Sequence, residues 1–287
     1  MQVYRGLDIG TAKPTAAERA RVPHHLIDVA DVTEPFDAAQ FARRAHDAAR
    51  EIQARGRVPI LCGGSGLYFR AFLEGLGEAP PADASMRAVL EATPLADLLT
   101  ELEARDPATF RAIDRKNPRR VIRALEVIRL TGQPFSAQRA AWVPAQADKS
   151  DSSSSPFFGL SRTPADLHAR IDARVDEMFQ RGLVQETREL LARGLEQNQT
   201  ALQAIGYRQV VEHLRGQRSL ADTVALVKLR TRQYAKRQRT WFRHQARVAW
   251  IEISPDETIA ETFTKWQNCA REGIVTDGNK FQTRRSV

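Results

Sequence analysis

The 287-residue sequence predicts an α/β protein, a parallel sheet flanked by helices and interrupted by a helical insertion. Three observations predict it. Residues 24–64 run strand, amphipathic helix, strand, a βαβ unit that requires parallel strands and a right-handed crossover. From about residue 78 the texture changes to Ala, Pro, Glu and Arg at helical spacing, with no convincing strand. Strand-like sequence then returns at "FFGLS", residues 157–161. The expected organisation is 1–77 for the first part of the core, 78–156 for the insertion, 157–270 for the second part with a basic helix, and 271–287 for a disordered tail.

The chain opens "MQVYRGLDIGTAKPT", where the apolar Val3, Tyr4 and Leu7 want a sheet around them and a glycine-punctuated polar loop follows. "HHLIDV" is the next strand candidate. Asp37 is placed to cap a helix whose stripe is Phe41, Ala45, Ala48 and Ile52, and Gly56 supplies its stop. "RVPILCGG" reads as a buried strand, with Cys62 as a small buried hydrophobe. Gly63 and Gly64 then turn directly into a helix carrying Leu67, Phe69 and Phe72, and in a parallel sheet this is the ligand-binding end. A glycine turn serves close packing as readily as a ligand.

Inside the insertion, "NPRRVIRALEVIRLTG" offers Asn117 as N-cap, Pro118 at the first helical position, Val121, Leu125 and Ile128 on one face, and Gly132 as stop. Arg119, Arg120 and Arg123 cluster at one end of that helix. "QADKSDSSSSPFF" is low-complexity and reads as a surface loop. In "TPADLHARIDARVDEMFQRG", Thr163 is the N-cap, Asp166 sits in the first turn, and Leu167, Ile171, Val175 and Met178 form the buried face. Arg170 and Arg174 stand one turn apart, able to converge on one anion or simply to face water.

Lys plus Arg number 43 against 35 Asp plus Glu, a net charge of +8 that favours polyanionic partners. Its distribution is the stronger signal. "KLRTRQYAKRQRTWFRHQAR", residues 228–247, carries eight basic residues and no acid. As a helix it puts Arg232, Lys236, Arg239 and Arg243 on one face, with Tyr234 and Trp241 seven residues apart on another. Eight uncompensated charges would repel along a merely solvated helix, so a phosphate backbone is the better partner. Two cysteines, Cys62 and Cys269, far apart in sequence, are too few for a disulfide framework or a zinc site and suit a reducing cytoplasm. No apolar run reaches the roughly 18 residues of a membrane span.

Taken in order, "MQVYRGLDIGTAKPT", "GGSGLYFRAFLEGL", "NPRRVIRALEV", "QAIGYRQ" and "TRQYAKRQRTWFR" closely resemble the bacterial tRNA dimethylallyltransferases, also called tRNA isopentenyltransferases, from residue 1 to about residue 253. The resemblance implies a P-loop-type core with a helical insertion that grips the tRNA anticodon stem-loop. It implies transfer of a dimethylallyl group from dimethylallyl diphosphate to N6 of the adenosine 3′ of the anticodon, with Mg2+ as cofactor, in a cytoplasmic monomer that uses no membrane. The chemistry agrees: a leaving diphosphate needs cations, and a loop base must leave its stack to be reached.

The resemblance also assigns residues. Met1 and Gln2 would line the target-base pocket, Ser65 would touch the tRNA near the reacting base, and Arg87 would make a further contact. Arg119, Arg120 and Arg123 would hold the anticodon-loop backbone, with Val121 and Ile122 between them packing. Gln203, Ala204, Ile205, Gly206, Tyr207 and Arg208, together with Lys236, Arg237, Gln238, Arg239, Thr240, Trp241, Phe242 and Arg243, complete the tRNA surface. Arg174, with Arg170 second, is the candidate diphosphate clamp.

In the family, an Asp-Ser pair that holds the general base precedes the segment matching Met1–Gln2, with a first strand and a phosphate loop further upstream. No GxxxxGK[ST] occurs in the 287 residues. The expectation is therefore a truncated chain, lacking the N-terminal strand and phosphate loop and inactive alone. The alternatives are a non-catalytic tRNA-binding protein and a P-loop nucleotide kinase-like protein, the latter disfavoured by the absent phosphate loop.

Overall fold

The computed structural model describes residues 1–77, 79–138, 157–246, 248–272, 275–277 and 280–282. The chain divides into two compact units, Met1–Phe69 with Val143–Val287, and Arg70–Trp142. The opening loop leads to α1 (Ala16–Arg21), where Thr15 and Glu18 form a reciprocal capping box. α2 (Ala38–Ala54) starts where the sequence places it: the Asp37 carboxylate accepts the Gln40 N–H at 2.8 Å. Gly56, at φ +67°, takes the left-handed turn that ends the helix. The glycine turn feeds α3 (Gly66–Leu73).

The second unit is built of helices over its described residues. α4 (Ala84–Ala92), α5 (Leu95–Arg105), α6 (Pro107–Ala112), α7 (Pro118–Thr131) and α8 (Phe135–Gln138) pack Leu90, Leu98, Leu102, Val121, Leu125 and Ile128 into one core. Pro118 opens α7 and Gly132, at φ +70°, closes it, although Asn117 makes no side-chain cap.

In the other unit, β1 (Phe157–Ser161) is followed by α9 (Pro164–Gln180), α10 (Leu183–Ala192), α11 (Tyr207–Leu214) and the 26-residue α12 (Leu220–Gln245), then β2 (Val248–Glu252) and α13 (Ile259–Glu272). β1 and β2 pair in parallel from Phe157 opposite Val248 to Ser161 opposite Glu252. Ile171 and Val175 of α9 pack on Val227 of α12, the face the spacing predicts.

The sheet is smaller than the sequence suggests. "HHLIDV" forms no strand, because Leu26 and Asp28 adopt φ of +61° and +57°, which an extended strand does not accommodate. All that remains there is one parallel bridge between Tyr4 and Ala30. Val3, Tyr4 and Leu7 are buried, but against Leu183, Leu190 and Tyr207 of α10 and α11 rather than in a sheet. "RVPILCGG" is not a buried strand: Val58 is 83% and Ile60 82% exposed, and Cys62 is exposed too. An apolar strand stays buried only if neighbours pair its backbone and cover its faces, and no described strand does so here. Within the segment expected to be a disordered tail, β3 (Val275–Asp277) and β4 (Lys280–Gln282) pair antiparallel. The rest of 273–287 and the serine-rich stretch lie outside the described residues.

Candidate nucleic-acid interface

The basic run is helical from Lys228 to Gln245, and its charges fall into two groups. In the N-terminal half of α12, Lys228 Nζ lies 2.7 Å from Asp176, and Arg232 forms a forked pair with Asp172, its Nε 3.1 Å from Oδ1. The acids missing from the run are thus supplied by α9, and Arg232 is a helix-to-helix tie rather than part of an anion-facing row. Further along, the side chains of Lys236, Arg239 and Arg243 make no hydrogen bond or ion pair among the described residues. Arg237 lies over the Tyr234 ring at 5.9 Å.

That unpaired half lies against the glycine turn before α3. The Gln238 amide donates to the Gly64 carbonyl at 2.9 Å. A Cβ on Gly66 would sit 2.3–2.4 Å from the Trp241 indole, and one on Gly64 would sit 2.1 Å from the Gln238 amide nitrogen, so close approach requires both glycines. Phe69 meets Phe242 edge-on at 5.7 Å and Phe157 at 5.4 Å. Trp241 and Phe242 therefore act as packing that seats the turn on the helix, while Ser65 stays exposed at its tip. "GGSG" and "QRTWFR", more than 170 residues apart, form one surface.

The opening loop is more tightly built than its polar sequence implies. Lys13, its side chain 2% exposed, donates to the Tyr4 carbonyl at 2.9 Å and to Asp8 and Asp28 at 2.5 Å each. Burial works to raise the Asp28 carboxyl pKa, but hydrogen bonds and charge from Lys13 and Arg19 outweigh it and hold it below the usual range. The Gln2 amide donates to the carbonyls of Thr11 and Ala12 at 3.1 Å. Across the loop, Glu186 accepts the Ile9 N–H at 2.9 Å and the Tyr207 hydroxyl at 2.6 Å, and that hydroxyl accepts the Gly10 N–H at 3.0 Å. Burial, then the Glu186 charge and hydrogen bond, push the Tyr207 phenol far up, so it remains protonated.

Several expected contacts turn inward. Tyr207 and Ala204 are buried, and Arg208 reaches Glu212 at 3.3 Å, so "QAIGYR" offers a partner less side-chain surface than expected. In the insertion, Val121 and Ile122 are core. Glu126 is fully buried and accepts from Arg123 at 2.6 Å, Arg87 at 2.9 Å and the Asp83 N–H at 3.0 Å, while Arg123 also donates to the Pro80 carbonyl at 2.5 Å. Arg87 and Arg123 are thereby held by an internal carboxylate while their side chains stay 39% and 30% exposed. Arg119 and Arg120 stand exposed on the first turn of α7, and the Arg120 side chain makes no hydrogen bond or ion pair among the described residues.

Arg170 and Arg174 do not converge. Arg170 donates to Asp166 at 3.1 Å and to the Pro255 carbonyl at 2.9 Å, whereas Arg174 is exposed and unpaired among the described residues. No three His, Cys, Asp or Glu side chains cluster among the described residues; a magnesium ion carried by a diphosphate needs no such cluster, since phosphate oxygens and water fill most of its shell. No described helix is long and apolar enough to cross a membrane. Sequence reasoning missed Lys13 and Glu186. Glu186 gives only the signal of an acid in a helix's first turn, and the burial of Lys13 is not legible in a polar loop.

The IPP transferase family model matches residues 2–245. The tRNA dimethylallyltransferase of Salinispora arenicola is 44% identical over 94% of this chain and 78% of its own length. That of Geobacillus thermodenitrificans is 42% identical over 91% and 82%. The crystal structure of the Bacillus halodurans tRNA isopentenylpyrophosphate transferase superposes with a TM-score of 0.66 at 38% identity, over 94% of this chain and 84% of that one. A eukaryotic dimethylallyltransferase acting on tRNA shares the fold, with a TM-score of 0.69 at 24% identity over 95% of this chain and 71% of that one.

Proposed function

The chain belongs to the IPP transferase family and its activity is that of a tRNA dimethylallyltransferase; from that premise we propose that Ser65 and the C-terminal half of α12 form the surface that receives the anticodon stem-loop. The observation that carries this is the split along α12. Cations facing α9 are ion-paired, while Lys236, Arg239 and Arg243, beside the Ser65 turn, have no acidic partner among the described residues. Unneutralised cations next to an exposed hydroxyl suit phosphate and ribose.

On this reading Gln2 borders the pocket of the target adenosine, whose N6 attacks the dimethylallyl carbon as the C–O bond to the diphosphate breaks, the N6 proton leaving to solvent. Arg174, exposed and without an ion-pair partner among the described residues, is the cation offered to the diphosphate. Magnesium bound with the diphosphate would neutralise its oxygens and ease its departure. In the insertion, Arg120 reaches the loop backbone, and Glu126 fixes Arg87 and Arg123 beside it.

The test incubates the protein with labelled dimethylallyl diphosphate, Mg2+ and unmodified tRNA, with anticodon stem-loop binding measured on the same preparation. The expected result is salt-sensitive stem-loop binding, with whatever label is transferred recovered on N6 of the adenosine 3′ of the anticodon. Failure to bind the stem-loop, or label on another nucleotide, overturns the reading.

A further inference from the structure

Ala12 sits in the opening loop at φ +48°, a left-handed conformation that a non-glycine residue holds only where its surroundings over-determine it. The surroundings are specific. Within the loop, the Ala12 N–H reaches the Ile9 carbonyl at 3.0 Å, the Lys13 N–H reaches the Asp8 carbonyl at 3.0 Å, and the Thr11 hydroxyl reaches the Leu7 carbonyl at 2.5 Å. From outside, two groups nearly 180 residues away or more close on consecutive amides: Glu186 on Ile9, and Tyr207 on Gly10. Because the Tyr207 hydroxyl also donates to Glu186, the four groups form a closed ring of hydrogen bonds.

The fit is steric as well as polar. A Cβ on Gly10 would lie 2.5 Å from the Tyr207 ring and 3.0 Å from Leu183, so the loop backbone rests directly on the ring. On its other side the same loop presents the Thr11 and Ala12 carbonyls, which hold the Gln2 amide at 3.1 Å.

We propose that Glu186 and Tyr207 are a positioning pair: by fixing the Ile9–Gly10 backbone they hold the strained loop, and through the Thr11 and Ala12 carbonyls they set Gln2 for the target base. The inference rests on Gln2 bordering the base pocket, as proposed above. Neither side chain touches tRNA, since Tyr207 is fully buried and Glu186 is spent on Ile9 and Tyr207. They act on the seating of the base and not on the phosphate contacts that carry affinity. Tyr207→Phe keeps the ring under Gly10 and removes only the hydroxyl link. Glu186→Gln keeps an acceptor oxygen but loses the charge.

The experiment uses an anticodon stem-loop with 2-aminopurine in place of the target adenosine. Its fluorescence is quenched in the stack and rises when the base is drawn out. Affinity, fluorescence gain and melting temperature are read on the wild type, Tyr207→Phe and Glu186→Gln. The expected result is an unchanged Kd with most of the fluorescence gain lost in Tyr207→Phe, and a partial loss in Glu186→Gln. Wild-type gain in a folded Tyr207→Phe, at wild-type affinity, overturns the positioning role while leaving the tRNA reading intact. Failure of the wild type to bind the stem-loop overturns the tRNA reading itself. A Tyr207→Phe variant that loses affinity and gain together also overturns the proposal, because the pair would then serve the surface as a whole. Should either variant unfold, Gly10→Ala displaces the ring without altering the hydrogen-bonding groups, and the same split between affinity and gain decides.

Discussion

Replacing Lys236, Arg239 and Arg243 together with Gln removes three charges while leaving helix propensity nearly constant. None of the three has a hydrogen-bond or ion-pair partner among the described residues, so the melting temperature should hold. Each phosphate contact contributes about 0.7 to 0.9 to the slope of log K against log salt, so losing three flattens the slope by about 2 to 3. Between about 50 and 200 mM salt, that takes roughly 1.5 decades out of the salt sensitivity of stem-loop binding. The control is Arg232→Gln, which breaks the tie to Asp172. Both partners are about one-third exposed, so the pair is worth about 1 kcal/mol or less, and the variant should melt slightly lower with its salt slope unchanged. Fluorescence anisotropy of a labelled anticodon stem-loop over a salt series reads both. An unchanged slope in the triple variant, or an equal drop in Arg232→Gln, would refute the division of α12 into paired and offered cations.

Removing the carboxylate with Glu126→Ala strands Arg87, Arg123 and the Asp83 N–H, and should cost about 3 kcal/mol in urea unfolding, the low end for a broken buried pair because both guanidiniums already touch water. Gly66→Ala drives a methyl into Trp241 and should cost about 1–3 kcal/mol, with a red shift of tryptophan emission as the indole leaves its seat. Acid should destabilise the fold. Asp28 is held low by Lys13 and Arg19 against the opposing pull of burial, and Asp106 likewise by Thr109 and Ser136. A carboxyl depressed on folding stabilises above its unfolded value of about 4 and loses that contribution as pH falls through the lower folded value. Melting temperature should therefore be flat above about pH 5 and decline below about pH 4; a rise there would contradict the assignment.

The helices were legible because their signals are local. Asp37, Thr163 and Pro118 start helices, and Gly56 and Gly132 stop them, through backbone geometry that neighbouring residues settle among themselves. The strands were not, because a strand is completed by its partners. "FFGLS" finds Val248–Glu252 and becomes β1, while "RVPILCGG", with Val58, Ile60 and Leu61, finds none among the described residues and lies open to water. The site divides in the same way. A run of cations announces a basic helix, but which of them are spent depends on Asp172 and Asp176 of another helix, 52 or more residues away. Lys13, Glu126 and Glu186 look like surface charges in sequence; only tertiary packing turns each into a hub.

The central claim, that the surface formed by Ser65 and the C-terminal half of α12 reads an anticodon stem-loop, is tested most directly by competition. The protein is titrated against an anticodon stem-loop and an acceptor-stem hairpin of equal length and charge, at one salt concentration, as wild type and as the Lys236, Arg239 and Arg243 to Gln variant. The account predicts that the wild type prefers the anticodon stem-loop and that the variant loses affinity for it. Equal binding of the two hairpins by the wild type, or full affinity in the variant, would contradict it.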